Sequence, residues 1–165
     1  YPWNDDPLKL FPVIMPRWRP FKFLGGFRWE EYEKNTPKDG VVDRIQVVRY
    51  KPKVGILETH SDPYKHQRLF ISAYMDKRGV DYEGGGFYVI DQDNRRVFLE
   101  DEVEVGDMGI GYATVLHGVA PCDVHKFSDT SKTDGRWFLS MYSNESDEVK
   151  DRHTGYPVSI DEKEG

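Results

Sequence analysis

Residues 41–50 read VVDRIQVVRY and are closed by Pro52. Val41, Val42, Ile45, Val47 and Val48 are β-branched, which stiffens χ1 and suits a pleated strand better than a helix. The same reading recurs at 55–59, 69–75 (LFISAYM), 87–90 (FYVI), 96–99, 108–113, 118–120 and 136–142 (RWFLSMY). Turn signals separate these runs: Lys77-Arg78-Gly79, Gly84-Gly85-Gly86, the DQDN of 91–94, Gly106-Asp107, and a polar loop over 123–135. Many short strands with no helices between them predict an all-β antiparallel sandwich or barrel, such as a jelly roll.

The flanks read differently. Pro2, Pro7, Pro12, Pro16 and Pro20 are half of the chain's ten prolines. Each removes a backbone donor and fixes φ, so the stretch is expected to be an extended, irregular arm. Its Trp3, Leu8, Phe11, Ile14 and Trp18 are apolar enough to hold it against the domain. A short helix is expected over 29–34 (WEEYEK), ended by Asn35 and Pro37. At most one or two short helices are expected in all. The organisation is then a single domain over 1–143, with arm and short helix in 1–40 and the β core in 41–143. The polar, acidic residues 144–165 are expected to be loosely held.

Composition narrows the function. With 165 residues the chain is one domain in size, and 14% aromatics can build its core. The net charge of −6 opposes a phosphate backbone, so nucleic acid is a poor partner. No apolar run approaches the roughly 20 residues of a membrane span. The single cysteine, Cys122, excludes an internal disulfide and suggests a reducing, cytoplasmic setting.

Three places can carry chemistry. In His60-Ser61-Asp62 the first and third side chains share a face if the segment is a strand, so both can reach one metal ion. The same tripeptide followed by Pro63 also suits an ordinary surface turn. His117 lies in an apolar run before Gly118, where a histidine is commonly a core residue. Two imidazoles and one carboxylate on one face form the facial triad that leaves positions open on Fe(II). Arg136 opens an apolar strand and can pair bidentately with a carboxylate, although strand-end arginines are commonly solvated. His125 is a competing ligand in a polar setting, and His66 and His153 read as solvated or capping residues. Residues 77–86 (KRGVDYEGGG) read either as a flexible loop over a substrate mouth or as a plain hairpin connection. Arg17-Trp18-Arg19 with Phe21-Lys22-Phe23 forms a small cationic-aromatic patch whose rings are expected to pack and whose charges are expected to be solvated.

In order, the segment from Tyr50 to Tyr142 carries Tyr50 and Gly55, His60 and Asp62, Arg68 and Tyr74, and Gly85-Gly86-Phe87. Gly106-Asp107, Leu116-His117-Gly118-Val119-Ala120-Pro121 and Gly135-Arg136 complete the series. This succession resembles the Fe(II)- and 2-oxoglutarate-dependent dioxygenases, in particular their prolyl 4-hydroxylase-like branch. It covers a little over half of the chain; the polar stretch 124–134 reads as an insertion, and prolyl 4-hydroxylases themselves usually carry Lys where Arg136 stands.

The resemblance implies a double-stranded β-helix, the jelly-roll variant of that family. It implies Fe(II) bound by His60, Asp62 and His117, with O2 and chelating 2-oxoglutarate in the open positions. The distal carboxylate of 2-oxoglutarate would pair with Arg136, helped by a hydroxyl of Tyr50, Tyr74 or Ser140. The implied activity is hydroxylation of an amino acid, a peptidyl side chain or a small metabolite, with release of succinate and CO2. Asp62 argues against halogenation, since halogenating relatives carry a small residue there. Two other readings stay open: a non-catalytic β-helix metal-binding or assembly module, and a cupin-like metalloenzyme that lacks the cosubstrate.

Overall fold

The structure is a computed structural model that describes residues 6–28, 38, 40–127, 129, 131–153 and 155–161. The helix expected over 29–34, Trp3 and the last four residues lie outside the described residues.

Two antiparallel sheets form the body of the protein. The elements are α1 (Leu10–Leu24), β1 (Val41–Tyr50), β2 (Leu57–Ser61), β3 (Leu69–Tyr74), β4 (Gly86–Ile90) and β5 (Arg96–Phe98). They continue with β6 (Met108–Tyr112), β7 (His117–Ala120), β8 (Arg136–Glu145) and β9 (Tyr156–Pro157). One sheet has the order β1-β8-β3-β6 and the other β5-β4-β7-β2-β9. Strand alternation sorts the side chains of the first sheet. Ile45, Leu69, Ile71 and Met141 face outward against Met15 and Trp18 of α1. Phe70 faces inward against Phe87 and Val119 of the second sheet. The layers are therefore helix, sheet, interior and sheet.

The proline-rich arm is the clearest departure from the sequence reading, because residues 10–24 form a helix. Pro12 sits in the first turn, where a missing N–H has no partner to lose. Pro16 and Pro20 lie inside the helix. The three are four residues apart, so they share one face, and all three are exposed. The carbonyls they deprive of partners therefore face water. The opposite face buries Met15, Trp18 and Lys22. Both oxygens of Asp6 accept from the leading amides, Leu10 N and Phe11 N, each at 2.8 Å. That carboxylate meets the positive end of the helix dipole. The cationic-aromatic patch divides accordingly. Trp18 is fully buried, Phe23 is exposed, and Lys22, expected in solvent, is buried beside Asp43 at 3.1 Å.

Residues beyond 144 also differ from expectation. β8 continues through Glu145, Ser146 is fully buried, and β9 adds to the second sheet beside β2.

Because Trp18 seals the outer face of the first sheet, Trp18→Ala is expected to lower stability by about 3–5 kcal/mol, the range for large aromatic truncations. Chemical denaturation measures it; a loss below about 1 kcal/mol would mean that the segment is a loosely attached arm.

Candidate metal centre and its cavity

The second sheet assembles the centre through strand register. β2 and β7 are antiparallel with His60 directly opposite His117, and their ring centroids are 4.5 Å apart. Asp62 lies one residue past the end of β2, its amide bonded to Ala113 O at 2.8 Å. Its Oδ1 is 3.6 Å from His60 Nε2 and its Oδ2 is 3.6 Å from His117 Nε2. One ligand atom from each of the three residues lies within 4.8 Å of the others. His66, His125 and His153 are not in this group.

Backbone carbonyls orient both imidazoles, a feature the sequence does not reveal. His60 Nδ1 is 2.7 Å from Glu58 O and His117 Nδ1 is 2.8 Å from Val115 O, each two residues upstream. A carbonyl only accepts, so each Nδ1 carries the proton and each Nε2 turns its lone pair toward Asp62. When protonated at Nε2, His60 would donate to Asp62, which raises its pKa above the ordinary value against burial. Burial lowers that of His117. The arrangement suits a divalent cation: two neutral-capable nitrogens, one carboxylate, and an open side.

That open side is a cavity of about 410 Å³ between the sheets. Phe70 and Phe87 flank His117, with centroids 4.8 and 5.7 Å from its ring, and shield it from bulk water. Gly155, just before β9, closes the rim. A Cβ there would lie 3.0 Å from Ser61 O and 3.2 Å from Cδ2 of His60. The stretch expected to fray thus forms part of the wall.

Arg136 lines the same cavity but is buried, not at a solvent-facing lip. Its guanidinium lies over Phe138 and Tyr50, 4.8 and 5.5 Å from their centroids. Nε donates to Glu100 Oε1 at 2.8 Å, and Nη2 donates to the same oxygen. Tyr82 donates to the other oxygen of Glu100. Nη1 is buried with no hydrogen-bond partner among the described residues. Burial disfavours the charge on Arg136, but Glu100 more than restores it. Tyr50 and Ser140 line the cavity, whereas Tyr74 does not. Tyr74 is buried, with its hydroxyl close against Gly109 of β6.

The 77–86 loop ends at this buried pair. Tyr82 is 1% exposed, and Asp123 N donates to Glu83 O at 2.7 Å. Gly86 has φ +95, and a Cβ there would collide with Glu100. These contacts pin the loop at the Arg136 end. Glu100 and Tyr82 escaped the sequence reading because their partner lies far along the chain; the Gly84-Gly85-Gly86 run is the only local trace of the packing.

At the other end, Glu145 is 4% exposed and holds the 145–153 segment. It accepts from Lys65 Nζ at 2.8 Å and from His153 N at 2.7 Å. Compared with protein-family models and with curated proteins, the chain matches none.

Burial alone would raise the pKa of Glu145, but the donors from Lys65 and His153 outweigh it and hold it at about 2. A depressed native pKa stabilises the fold above the ordinary value of 4.5, and that contribution fades as pH falls from there toward about 2. Glu145→Gln is therefore expected to lose about 1–2 kcal/mol at neutral pH, the worth of partly screened charge-assisted hydrogen bonds. The gap in urea midpoint should close on acidification; a gap independent of pH would contradict this role for the carboxylate.

Proposed function

We propose that this protein is an Fe(II)- and 2-oxoglutarate-dependent oxygenase that hydroxylates an amino acid, a peptidyl side chain or a small metabolite, releasing succinate and CO2. The observation that carries the reading is His60, Asp62 and His117 converging on a cavity that also holds a buried guanidinium with an unused donor. The two antiparallel sheets with the centre between them suit a double-stranded β-helix. A reducing cytosol suits both a ferrous site and the lone buried Cys122.

Each group fits its task. The triad would hold iron through two Nε2 atoms and one carboxylate oxygen. Arg136 Nη1 would donate to a carboxylate of 2-oxoglutarate, with Tyr50, Ser72 and Ser140 of the same cavity as neighbouring hydroxyls. When bound, ferrous iron and 2-oxoglutarate together supply the activation of O2 and the electrons it consumes. The protein's own share is geometry: Glu100 fixes the Arg136 plane, the two carbonyls fix the imidazole tautomers, and Phe70 and Phe87 exclude water.

Glu100 also favours a second reading. It already neutralises Arg136, which suits a cupin-like metalloenzyme or a metal-binding module that needs no anionic cosubstrate.

Anaerobic addition of Fe(II) and then 2-oxoglutarate is expected to give the weak visible charge-transfer band of the chelate, and admission of air should yield succinate. Asp62→Ala should abolish both signals. Arg136→Ala should raise the 2-oxoglutarate concentration for half-saturation roughly 10–100-fold, the loss of one or two charge-assisted bonds. Iron binding with neither band nor succinate would select the second reading.

A further inference from the structure

Two carboxamides of the cavity have no bonding partner among the described residues. Gln67 and Asn144 line it, and they share the lining of a small recess with Pro63 and His153. Gln67 is only 6% exposed, yet no protein group bonds its side chain. Asn144 comes from the inward face of β8, and its Oδ1 is buried and unpaired. Gln46 shows the contrast, since its Oε1 accepts from the Tyr142 hydroxyl at 3.0 Å. An unpartnered buried amide costs stability, and such groups are rare in folded proteins. Charged side chains nearby have partners of opposite charge. Glu145 has Lys65, while Arg44, which is buried, and Arg152 both reach Asp147. The two amides left over are neutral. Ala113 fixes where Gln67 lies. It accepts from Asp62 N at 2.8 Å and donates to Arg68 O at 3.1 Å, so one residue clamps both ends of the turn between them. That clamp keeps Gln67, one residue before Arg68, near Asp62.

We propose that Gln67 and Asn144 form an amide-binding subsite, which holds a carboxamide or peptide group of the substrate beside the candidate metal centre. Each side-chain amide offers an acceptor oxygen and an NH2 donor, and the group that answers both is another amide. A carboxylate has no donor for the two oxygens, and an ammonium has no acceptor for the two nitrogens. A cavity of about 410 Å³ is in the size range of small-molecule sites. As a statement of substrate class the proposal rests on the oxygenase reading; as an amide site it stands independently.

Calorimetry under anaerobic conditions, with and without Fe(II) and 2-oxoglutarate, measures the binding of matched ligands. Asparagine is compared with aspartate, glutamine with glutamate, and acetylglycine N-methylamide with acetylglycine methyl ester. At least one amide should bind about tenfold or more tightly than its match, the worth of one or two neutral hydrogen bonds. The difference should vanish in Gln67→Met and in Asn144→Leu. Preference within the amino-acid pairs would assign a small-molecule ligand, and preference within the capped pair a peptide; either supports the subsite. Stability separates this role from a structural one. Without ligand, Gln67→Met removes an unpartnered amide, so its urea midpoint should equal or exceed that of the unsubstituted protein. A lower midpoint would mean that the amide is satisfied within the fold, and overturns the proposal. So does the lack of any amide preference, or a preference that survives both substitutions. Amide binding that depends on Gln67 in protein showing no 2-oxoglutarate band would keep the subsite and discard the oxygenase reading. A band without amide preference would do the reverse.

Discussion

The pairing of β2 with β7 is the constraint on which the candidate centre depends. It places two imidazoles face to face and leaves one carboxylate to answer both. Both rings cannot comfortably be protonated at such a separation, and the site separates their tendencies, with His60 holding its proton more strongly and His117 less. A divalent cation in place of that proton would resolve the conflict. β2 and β7 have only five and four residues, so their alignment relies on neighbours: β9 flanks β2 and β4 flanks β7.

The two sheets divide the labour. The second sheet contributes the ligand set. The first contributes, on one pair of long strands, a buried arginine at each end of the cavity. Burial makes each guanidinium costly to leave uncompensated, which is why Glu100 and Asp147 stand behind them. Glu100 is the more committed partner, since it is 2% exposed and tied to Tyr82 as well.

The strands were legible because their signals are local. The β-branched run at 41–50 and the apolar 136–142 match β1 and the greater part of β8. His60, Asp62 and His117 could be picked out by residue type, and the structure brings them together. The helix at 10–24 was not legible. Proline counts against a helix wherever the lost carbonyl partner matters, and here spacing by four residues turns every such loss toward water. Glu100, Tyr82, Arg44 and Arg152 carried no local signature either. Their meaning comes from partners that only the fold brings together, such as Glu100 with Arg136, 36 residues on, and Arg44 with Asp147, 103 residues on, which neither periodicity nor turn chemistry encodes. Residues 144–165 read as a loosely held acidic tail because polar composition cannot distinguish solvent from a buried set of donors such as the one around Glu145.

The closeness of Gly155 to His60 has a broader implication. The backbone at Gly155 leaves little room for a side chain beside His60, and β9 pairs with β2 at His60 itself, so filling of the candidate centre and docking of β9 would be thermodynamically linked. Anything that peels β9 away strips His60 of a neighbour, and anything that steadies His60 tightens the seal. Damage near residue 155 would then disturb the candidate centre without touching His60, Asp62 or His117, making this segment a place where evolution could adjust the site while leaving its three side chains alone.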